Sequence, residues 1–83
     1  MGTPLRKRLA LELLNLGNSF GVQDGRGVIV AVSMTHEDLA DSIGCSRQKV
    51  TETLADFEEQ GAVIRAGRRF ILNMERLRDL ITT

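Results

Sequence analysis

Apolar residues recur three or four positions apart in four stretches of the chain, which predicts four helices. In the first stretch the repeating positions are Leu5, Leu9, Leu13 and Leu16, which would lie along one face of an α-helix. The other three rows are Leu39 with Ile43, Val50 with Leu54 and Phe57, and Met74 with Leu77 and Ile81. Stretches with a different pattern separate these rows, so the chain is expected to be mainly but not wholly helical.

The first helix carries signals for both of its ends. Thr3 is expected to be its N-cap and Pro4 its first residue, because the missing N–H of proline costs nothing there. Gly17 is expected to end the helix in a left-handed conformation. Leu11 and Leu14 widen the apolar surface beyond one row. The helix is therefore either buried on two sides or partly exposed for contact with another domain.

β-Branched and apolar runs predict strands in two regions. Residues 28–32 are apolar on both faces, as expected for a strand inside a small sheet. Residues 62–65 and 69–72 are predicted to be strands of one hairpin, joined through residues 66–68. Residues 18–27 are polar and rich in glycine, and are expected to form a connection with a turn at residues 25–27. The predicted fold class is thus α+β, mainly α.

Residues 35–60 predict two helices joined by a tight turn. Thr35, followed three residues later by Asp38, is typical of a capping box. Gly44 permits a sharp turn because glycine takes positive φ without strain, and Ser46 is suited to be the N-cap of the second helix. Two helices joined in this way are typical of the helix-turn-helix, whose second helix enters the major groove of DNA.

The second helix of this motif is expected to turn a polar face outward. Its buried row begins at Val50, so the residues that face outward near its start are Arg47, Gln48, Thr51 and Glu52. Arginine pairs with guanine O6 and N7, glutamine with adenine N6 and N7, and a carboxylate accepts from cytosine N4. These four residues are the predicted base-reading residues. We expect Arg47 to read a guanine and leave the roles of Gln48 and Glu52 open.

Several other polar residues are expected to contact phosphate. Arg68 and Arg69 lie on the hairpin that follows the recognition helix, where a basic wing meets the DNA backbone. Lys49 lies on a flank of the recognition helix and is assigned the same role. His36 lies at the start of the preceding helix, near phosphate, where its protonation would modestly tune DNA affinity below pH 7.

Charge is unevenly distributed along a chain whose net charge is zero. Residues 1–34 carry four basic and two acidic residues, a net charge of +2. Residues 35–60 carry two basic and seven acidic residues, a net charge of −5, and residues 61–83 carry five basic and two acidic residues, a net charge of +3. Electrostatics favours a nucleic-acid partner only if the basic residues from the two ends of the chain lie on one face of the folded domain.

Length and composition exclude several classes of protein. Eighty-three residues suffice for one small domain. The single cysteine, Cys45, forms no internal disulfide, which favours the reducing cytoplasm, and no apolar run reaches the ~18 residues of a membrane span. His36 and Cys45 are the only candidates for metal or nucleophile chemistry, and two ligands do not complete a zinc site. An enzyme is not expected.

The order of elements and the amino-acid sequences of several stretches resemble the C-terminal DNA-binding domain of the cyclic-AMP-receptor/FNR family. The stretches are THEDLA at residues 35–40, IGCSR at residues 43–47 with Val50 and Leu54 after it, and GAVI at residues 61–64. The resemblance covers nearly the whole chain. It implies a winged helix-turn-helix, with a three-helix core, a small antiparallel sheet that carries the wing, and a short C-terminal helix.

The resemblance also implies roles for individual residues. By position, Arg47 and Gln48 would read bases, and Thr35 and Ser46 would contact phosphate. Well-known members of the family have Glu at the position of Gln48 and Arg at the position of Glu52. The DNA half-site is therefore not expected to be the one that those members read.

The family's ligand-binding β-roll and long dimerisation helix have no counterpart in this sequence. We therefore expect one domain, residues 1–83, that is part of a longer regulator. Its predicted segments are a leading helix and strand (1–33), the helix-turn-helix (35–60), the wing (61–72) and a last helix (73–83). No cofactor is expected in this domain, and the effector of the longer protein is unknown.

Double-stranded DNA is the expected partner, and a membrane is not. Family members read two half-sites as symmetric dimers, so a homodimer is expected for the full-length protein and a monomer for this chain. The alternative is a winged helix used for protein contact, with RNA polymerase or a partner regulatory domain. The acidic residues 35–60 and the leucines of the first helix motivate that alternative.

Overall fold

The computed structural model describes residues 4–30, 34–67 and 69–82. Its elements in chain order are α1 (Leu5–Phe20), β1 (Gly21–Asp24), β2 (Gly27–Val30), α2 (His36–Ile43), α3 (Arg47–Glu59), β3 (Val63–Ala66), β4 (Arg69–Leu72) and α4 (Met74–Thr82). The predicted α+β class, mainly helical, is confirmed. Every apolar row that predicted a helix lies in one.

The four strands form one antiparallel sheet in the order β1-β2-β4-β3. β2 lies between β1 and β4, as its apolar pattern predicted, although it spans Gly27–Val30; residues 31 and 32 of the predicted strand lie outside the described residues. β3 and β4 form the predicted hairpin, with Val63 opposite Leu72 and Ala66 opposite Arg69.

Most of the connection predicted over residues 18–27 is regular structure, and only its predicted turn is confirmed. α1 continues to Phe20, and Gly21 follows it directly as the first residue of β1. Only residues 25 and 26 remain as the turn of the β1–β2 hairpin. The first three residues of β1 are exposed, so no alternation of buried and exposed positions marked this strand in the sequence.

The predicted ends of α1 are also corrected. Pro4 is the N-cap rather than the first helical residue, and Thr3 lies outside the described residues. Gly17 does not end the helix but is buried within it. A Cβ atom on Gly17 would lie 2.8 Å from Sδ of Met74 and 3.2 Å from Cδ1 of Leu72. This glycine therefore serves the close approach of α4 to α1 instead of a helix end.

The hydrophobic core lies between the helices and one face of the sheet. Its largest fully buried side chains are Phe57, Leu9, Leu13, Leu39, Leu54, Leu72, Leu77, Val30, Val50 and Val63. Ile71 is also fully buried, but on the other face of the sheet. On α1, Leu14 is 8% exposed whereas Leu11 is 44% exposed. The wide apolar face of α1 is thus buried over Leu14 and open at Leu11.

The local signals of the helix-turn-helix act as predicted. Oγ1 of Thr35 accepts from the backbone N–H of Asp38 at 3.0 Å, and Oδ2 of Asp38 accepts from that of Thr35 at 3.0 Å, which completes the capping box. Gly44 takes a left-handed conformation with φ 73°, which a residue with a Cβ atom adopts only with strain. Ser46 is the N-cap of α3, where its Oγ accepts from the N–H of Lys49 at 3.2 Å.

Asn73 caps the start of the last helix. Oδ1 of Asn73 accepts a hydrogen bond from the backbone N–H of Arg76 at 3.1 Å. Leu77 is fully buried, and Met74 and Ile81 pack partly buried against the core. Among residues 4–30, 34–67 and 69–82, no helix has the length and apolar character that crossing a membrane requires.

Candidate nucleic-acid interface

The first two turns of α3 carry a continuous polar surface. The exposed side chains here are Arg47, Gln48, Lys49, Thr51 and Glu52. On the opposite side of the helix Val50 is 0% exposed and Leu54 is 1% exposed. The predicted orientation of the helix is confirmed, while the roles of the exposed residues toward DNA stay predictions.

Two hydroxyls that cap helices lie beside this surface. Thr35 and Ser46 each accept a hydrogen bond from a backbone N–H three residues later. Because acceptance uses a lone pair of the oxygen, the hydroxyl hydrogen of each residue is left to donate outward. Both hydroxyls can therefore cap a helix and donate to an anionic oxygen at the same time.

His36 connects the start of α2 with α3. Its Nδ1 lies 2.7 Å from Oγ1 of Thr51, and that hydroxyl donates to the carbonyl of Arg47 at 3.0 Å. A hydroxyl has one hydrogen, so with this donation in place Nδ1 of His36 is the donor to Thr51. The imidazole also stacks on Phe70 of β4, with ring centroids 6.5 Å apart.

A groove of about 450 Å³ opens where α2, α3 and the β3–β4 hairpin meet. Its lining residues are Met34, Thr35, His36, Glu37, Arg47, Arg65 and Phe70. Burial lowers the pKa of His36 below the ordinary 6.5, and the positive charges of Arg65 and Arg47 lower it further. The two arginines are therefore close enough to His36 to act on it electrostatically.

The hairpin places its arginines on two different faces. Arg65 lies directly opposite Phe70, and directly opposite residues of an antiparallel pair share a face of the sheet. That face is the one on which Phe70 stacks on His36. Arg69 lies opposite Ala66, on the other face, and Arg68 lies outside the described residues.

Arg65 is a groove residue that the predicted phosphate contacts did not include. The available signal was the alternation of the strand, because Arg65 lies two residues after the buried Val63 and points to the same face. The predicted wing contacts were Arg68 and Arg69, at and beside the tip of the hairpin. A hairpin tip is set by turn chemistry, whereas the groove-facing residue is set by strand register.

Glu52 is partly neutralised by its neighbours on α3. Nε2 of Gln48 donates to its Oε1 at 3.4 Å, and Nζ of Lys49 lies 3.9 Å from its Oε2. Ion pairs this exposed contribute little to stability, but they reduce the negative charge that Glu52 would present to phosphate. The hydrogen bond between Gln48 and Glu52 also keeps these two side chains next to each other on the exposed face.

His36 and Cys45 were the two candidates for metal or nucleophile chemistry. In the described part of the chain, no group of three His, Cys, Asp or Glu side chains is placed to hold a metal ion. Cys45 is half-buried in the α2–α3 turn, with Sγ 3.5 Å from the carbonyl oxygen of Ser46.

Residues 7–80 match the model of a family described as the Crp-like helix-turn-helix domain. The chain is 36% identical over 76 residues to the CRP-like cAMP-activated global transcriptional regulator of Mycobacterium tuberculosis, which covers 90% of the chain and 34% of that protein. It is 38% identical over 69 residues to the transcriptional regulator LdrP of Thermus thermophilus, which covers 82% of the chain and 34% of that protein.

The fold agrees with these sequence similarities. A mutant of CooA from Carboxydothermus hydrogenoformans superimposes with a TM-score of 0.89 at 26% sequence identity, covering 96% of the chain and 38% of that structure. The chain spans about a third of the length of the curated relatives it matches. The match to the family model over residues 7–80 shows that the chain belongs to the family of Crp-like helix-turn-helix domains.

Proposed function

We propose that this chain binds double-stranded DNA sequence-specifically, as the DNA-reading domain of a bacterial transcription regulator. One observation carries the proposal: α2, α3 and β3 each place a donor or a cation in one groove beside the exposed start of α3. A phosphate in this groove would meet Thr35, His36, Arg47 and Arg65. The start of α3 would then enter the major groove, as in other helix-turn-helix proteins.

The base-reading roles follow from the exposed start of α3. Arg47 is proposed to read a guanine through O6 and N7. Gln48 donates one amide hydrogen to Glu52 and keeps its second hydrogen and its oxygen for a base such as adenine. The hydroxyl hydrogen of Thr51 is used on the carbonyl of Arg47, so a base contact of Thr51 would use its methyl group, for example on thymine, or its remaining lone pair as an acceptor.

The phosphate contacts are proposed on both sides of the reading helix. Thr35, Ser46 and His36 would donate from the starts of α2 and α3, and Lys49 from the flank of α3. Arg65 is added to this set because it lines the groove. Arg69 and Arg68 remain proposed contacts of the wing with a neighbouring stretch of backbone.

Control of transcription by a whole protein is part of the same proposal, because the chain spans about a third of its relatives' length. The full-length regulator would act in the cytoplasm as a homodimer on two half-sites. This chain alone would be a monomer that engages one half-site, without the gain in effective concentration that tethering gives. No cofactor is assigned to this domain, and the effector of the regulator is not assigned.

The experiment is a selection of bound sites from random double-stranded DNA, followed by affinity measurements at two or more salt concentrations. We expect a short enriched motif and an affinity that falls steeply as salt rises. Arg47→Ala should cost about 1–3 kcal/mol at one base position and relax the preference there. Equal affinity for all sequences, or an affinity that does not depend on salt, would refute the proposal.

A second candidate function, docking to RNA polymerase or to a partner regulatory domain, is favoured by one further observation. Val22, Ile29, Ile71 and Ile64 lie opposite one another in a row across all four strands, on the sheet face away from Phe70. Val22 is 57% exposed and Ile64 is 44% exposed. Ile71 within the row is fully buried, so the exposed apolar surface lies at the two ends of the row, and exposed apolar surface is suited to protein contact.

The two candidate functions are compatible, because they use different surfaces. A Val22→Thr, Ile64→Thr double variant separates them. It should bind DNA as the wild type does and lose any binding to RNA polymerase or to the partner domain. Loss of DNA binding in this variant, with the fold intact by circular dichroism, would contradict the separation.

A further inference from the structure

The guanidinium of Arg8 closes the C-terminal end of α2. Its Nη2 donates to the backbone carbonyl of Ile43, the last residue of that helix. The last carbonyls of an α-helix lack partners within the helix, and its negative dipole end attracts a cation. Within α2, all of which is described, no basic residue lies in the last turn. Arg8 of α1 therefore provides the cation that the C-terminal end of α2 itself lacks.

The same guanidinium lies against the turn that leads into α3. Nη2 of Arg8 is 3.7 Å from the point where a Cβ atom on Gly44 would stand. The N–H groups of Gly44 and Cys45 both donate to the carbonyl of Ala40, at 2.9 and 3.0 Å. Only three residues separate Ile43 from the first residue of α3. Arg8 thus contacts the short segment from which the recognition helix starts.

Arg6 lies on α1 two residues before Arg8 and contacts the C-terminal half of α3. Its Nη1 donates to Oδ2 of Asp56, and its guanidinium carbon lies 5.4 Å from the ring centroid of the fully buried Phe57. An ion pair this exposed adds little stability by itself. Together with the cation–π contact it fixes where the C-terminal half of α3 lies against α1.

We propose that Arg8 and Arg6 are positioning residues for the DNA-reading helix. Arg8 holds the turn from which α3 starts and Arg6 holds its C-terminal half, so two cations of α1 set the orientation of α3. This inference rests on the proposed function, since it assigns the residues that aim the reading helix. It goes beyond that function in assigning a DNA-binding role to arginines that are proposed to contact no DNA.

The proposal makes a prediction that distinguishes positioning from two other roles. Removing one phosphate contact reduces the slope of log affinity against log salt concentration by about one. A residue that only stabilises the fold changes the fraction of folded protein, which lowers affinity for all DNA sites by the same factor. A positioning residue changes the ratio of affinities between sites, because it changes how α3 meets the bases.

The first experiment compares wild type, Arg8→Ala and Arg76→Ala, an exposed arginine of α4 that matches the charge removed. Each protein is titrated with the selected site and with a site changed at one base pair, at several salt concentrations. A single wrong base pair usually costs about 5- to 150-fold in affinity. We expect Arg8→Ala to reduce that ratio by about 3-fold or more, with an unchanged salt slope, and Arg76→Ala to leave the ratio as it is.

Arg6 is tested through its partner. Arg6→Ala and Asp56→Ala should each reduce the same ratio, and the double variant should reduce it no further than Arg6→Ala does, since both variants remove the Arg6–Asp56 ion pair. Effects of the two single variants that simply multiply would overturn the assignment of Arg6.

A second experiment measures the free protein, without DNA. Backbone amide NMR spectra and hydrogen exchange are compared for the same variants. Arg8→Ala should shift the resonances of residues 44–49 and accelerate exchange of the Gly44 and Cys45 amides, whereas Arg76→Ala should do neither. Unchanged spectra and exchange over residues 44–49 in Arg8→Ala would overturn the positioning role of Arg8.

The outcomes separate this inference from the proposed function. If wild type prefers no sequence, the proposed function fails, and the amide measurements alone decide whether Arg8 holds the turn. If wild type discriminates between sites, an unchanged ratio in Arg8→Ala overturns the inference. A salt slope reduced by about one would then identify Arg8 as a phosphate contact, and an equal loss of affinity for all sites with an unchanged slope would identify it as a residue that only stabilises the fold.

Discussion

The imidazole of His36, at the start of α2, donates from Nδ1 to the hydroxyl oxygen of Thr51 in α3, 2.7 Å away. The same hydroxyl donates to the carbonyl of Arg47, so Thr51 has no hydroxyl hydrogen left for a base. This relationship joins the two helices of the motif beside the groove. It also places the one histidine of the chain where its protonation state matters for stability and for DNA binding.

Stability should depend on the protonation of His36. Burial, Arg65 and Arg47 lower the pKa of His36 in the folded protein, so the unfolded chain takes up a proton at higher pH than the folded protein does. The contribution is fully present above the unfolded pKa of about 6.5 and is lost as pH falls toward the lower folded pKa. We expect the free energy of unfolding to fall between pH 7 and pH 5.

The matched variant for this prediction is His36→Gln, which removes the only histidine. Denaturant unfolding of both proteins at pH 7.5 and pH 5 measures the difference. The wild type should lose more stability than the variant over this interval. A loss of the same size in both proteins would assign the pH dependence to other groups.

DNA affinity should also respond to His36, in the opposite direction. A phosphate bound in the groove would favour the protonated imidazole and raise the pKa of His36 above its value in the free protein. Binding would then take up a proton, so affinity is expected to rise as pH falls from 8 to 6. Titrations of the selected DNA at these two pH values measure the effect, which should be absent in His36→Gln. An affinity that is flat over the interval in the wild type would remove His36 from the phosphate contacts.

The two hairpin arginines with described positions should differ in their contribution to DNA binding. Arg65 lines the groove, whereas Arg69 lies on the other face of the hairpin. Arg65→Ala should weaken binding to all sites alike and reduce the salt slope by about one. It should also raise the pKa of His36, because one of the charges that lowers it is removed. Arg69→Ala is the charge-matched control, and an equal or larger effect on the pKa of His36 would contradict the assigned faces.

Gly21 is expected to tolerate no side chain. A Cβ atom there would overlap the carbonyl oxygen of Gly17 and Cγ1 of Val28, where α1 passes directly into β1. Gly21→Ala should destabilise the protein by about 1–3 kcal/mol, as other overpacked sites do. Gly25→Ala is the control, because no heavy atom of the described residues lies within 4 Å of its added Cβ. Thermal unfolding of the two variants tests this, and equal melting temperatures would contradict the close packing.

Thr35 is expected to contribute to stability through the capping box. Removing its hydroxyl leaves the N–H of Asp38 without its acceptor, so Thr35→Ala should cost about 0.5–2 kcal/mol. Thr35→Ser keeps the oxygen and should retain most of the stability. Denaturant unfolding compares the three proteins. A Thr35→Ser variant as unstable as Thr35→Ala would show that the methyl group, rather than the cap, is what matters.

Much of the helix-turn-helix could be predicted because its determinants are local. The Thr35–Asp38 capping box and the Ser46 cap each depend on residues three positions apart, and the left-handed turn depends on Gly44 alone. Such interactions lie within one turn of helix, so they do not depend on how the rest of the chain folds. For the same reason the exposed face of α3 could be derived from helical periodicity.

The errors concern features that distant residues decide. Gly17 matches the local signal for a helix end, yet α1 continues because Met74 and Leu72 pack where a side chain would be. The strand β1 was missed because its exposed residues carry no apolar alternation, and it forms by pairing with the apolar β2. In both places a contact between elements overrides the local preference.

The sequence by itself determined the apolar rows of the four helices, the caps within the helix-turn-helix and the polar face of its second helix, since periodicity and capping act over a few residues. Only the tertiary structure decided which cations share the groove. Strand register turns Arg65 toward His36 and Arg69 away from it, and helix packing directs Arg6 and Arg8 to partners inside the domain. Arg6 and its partner Asp56 lie 50 positions apart in the chain, and no local pattern reports a contact over such a separation.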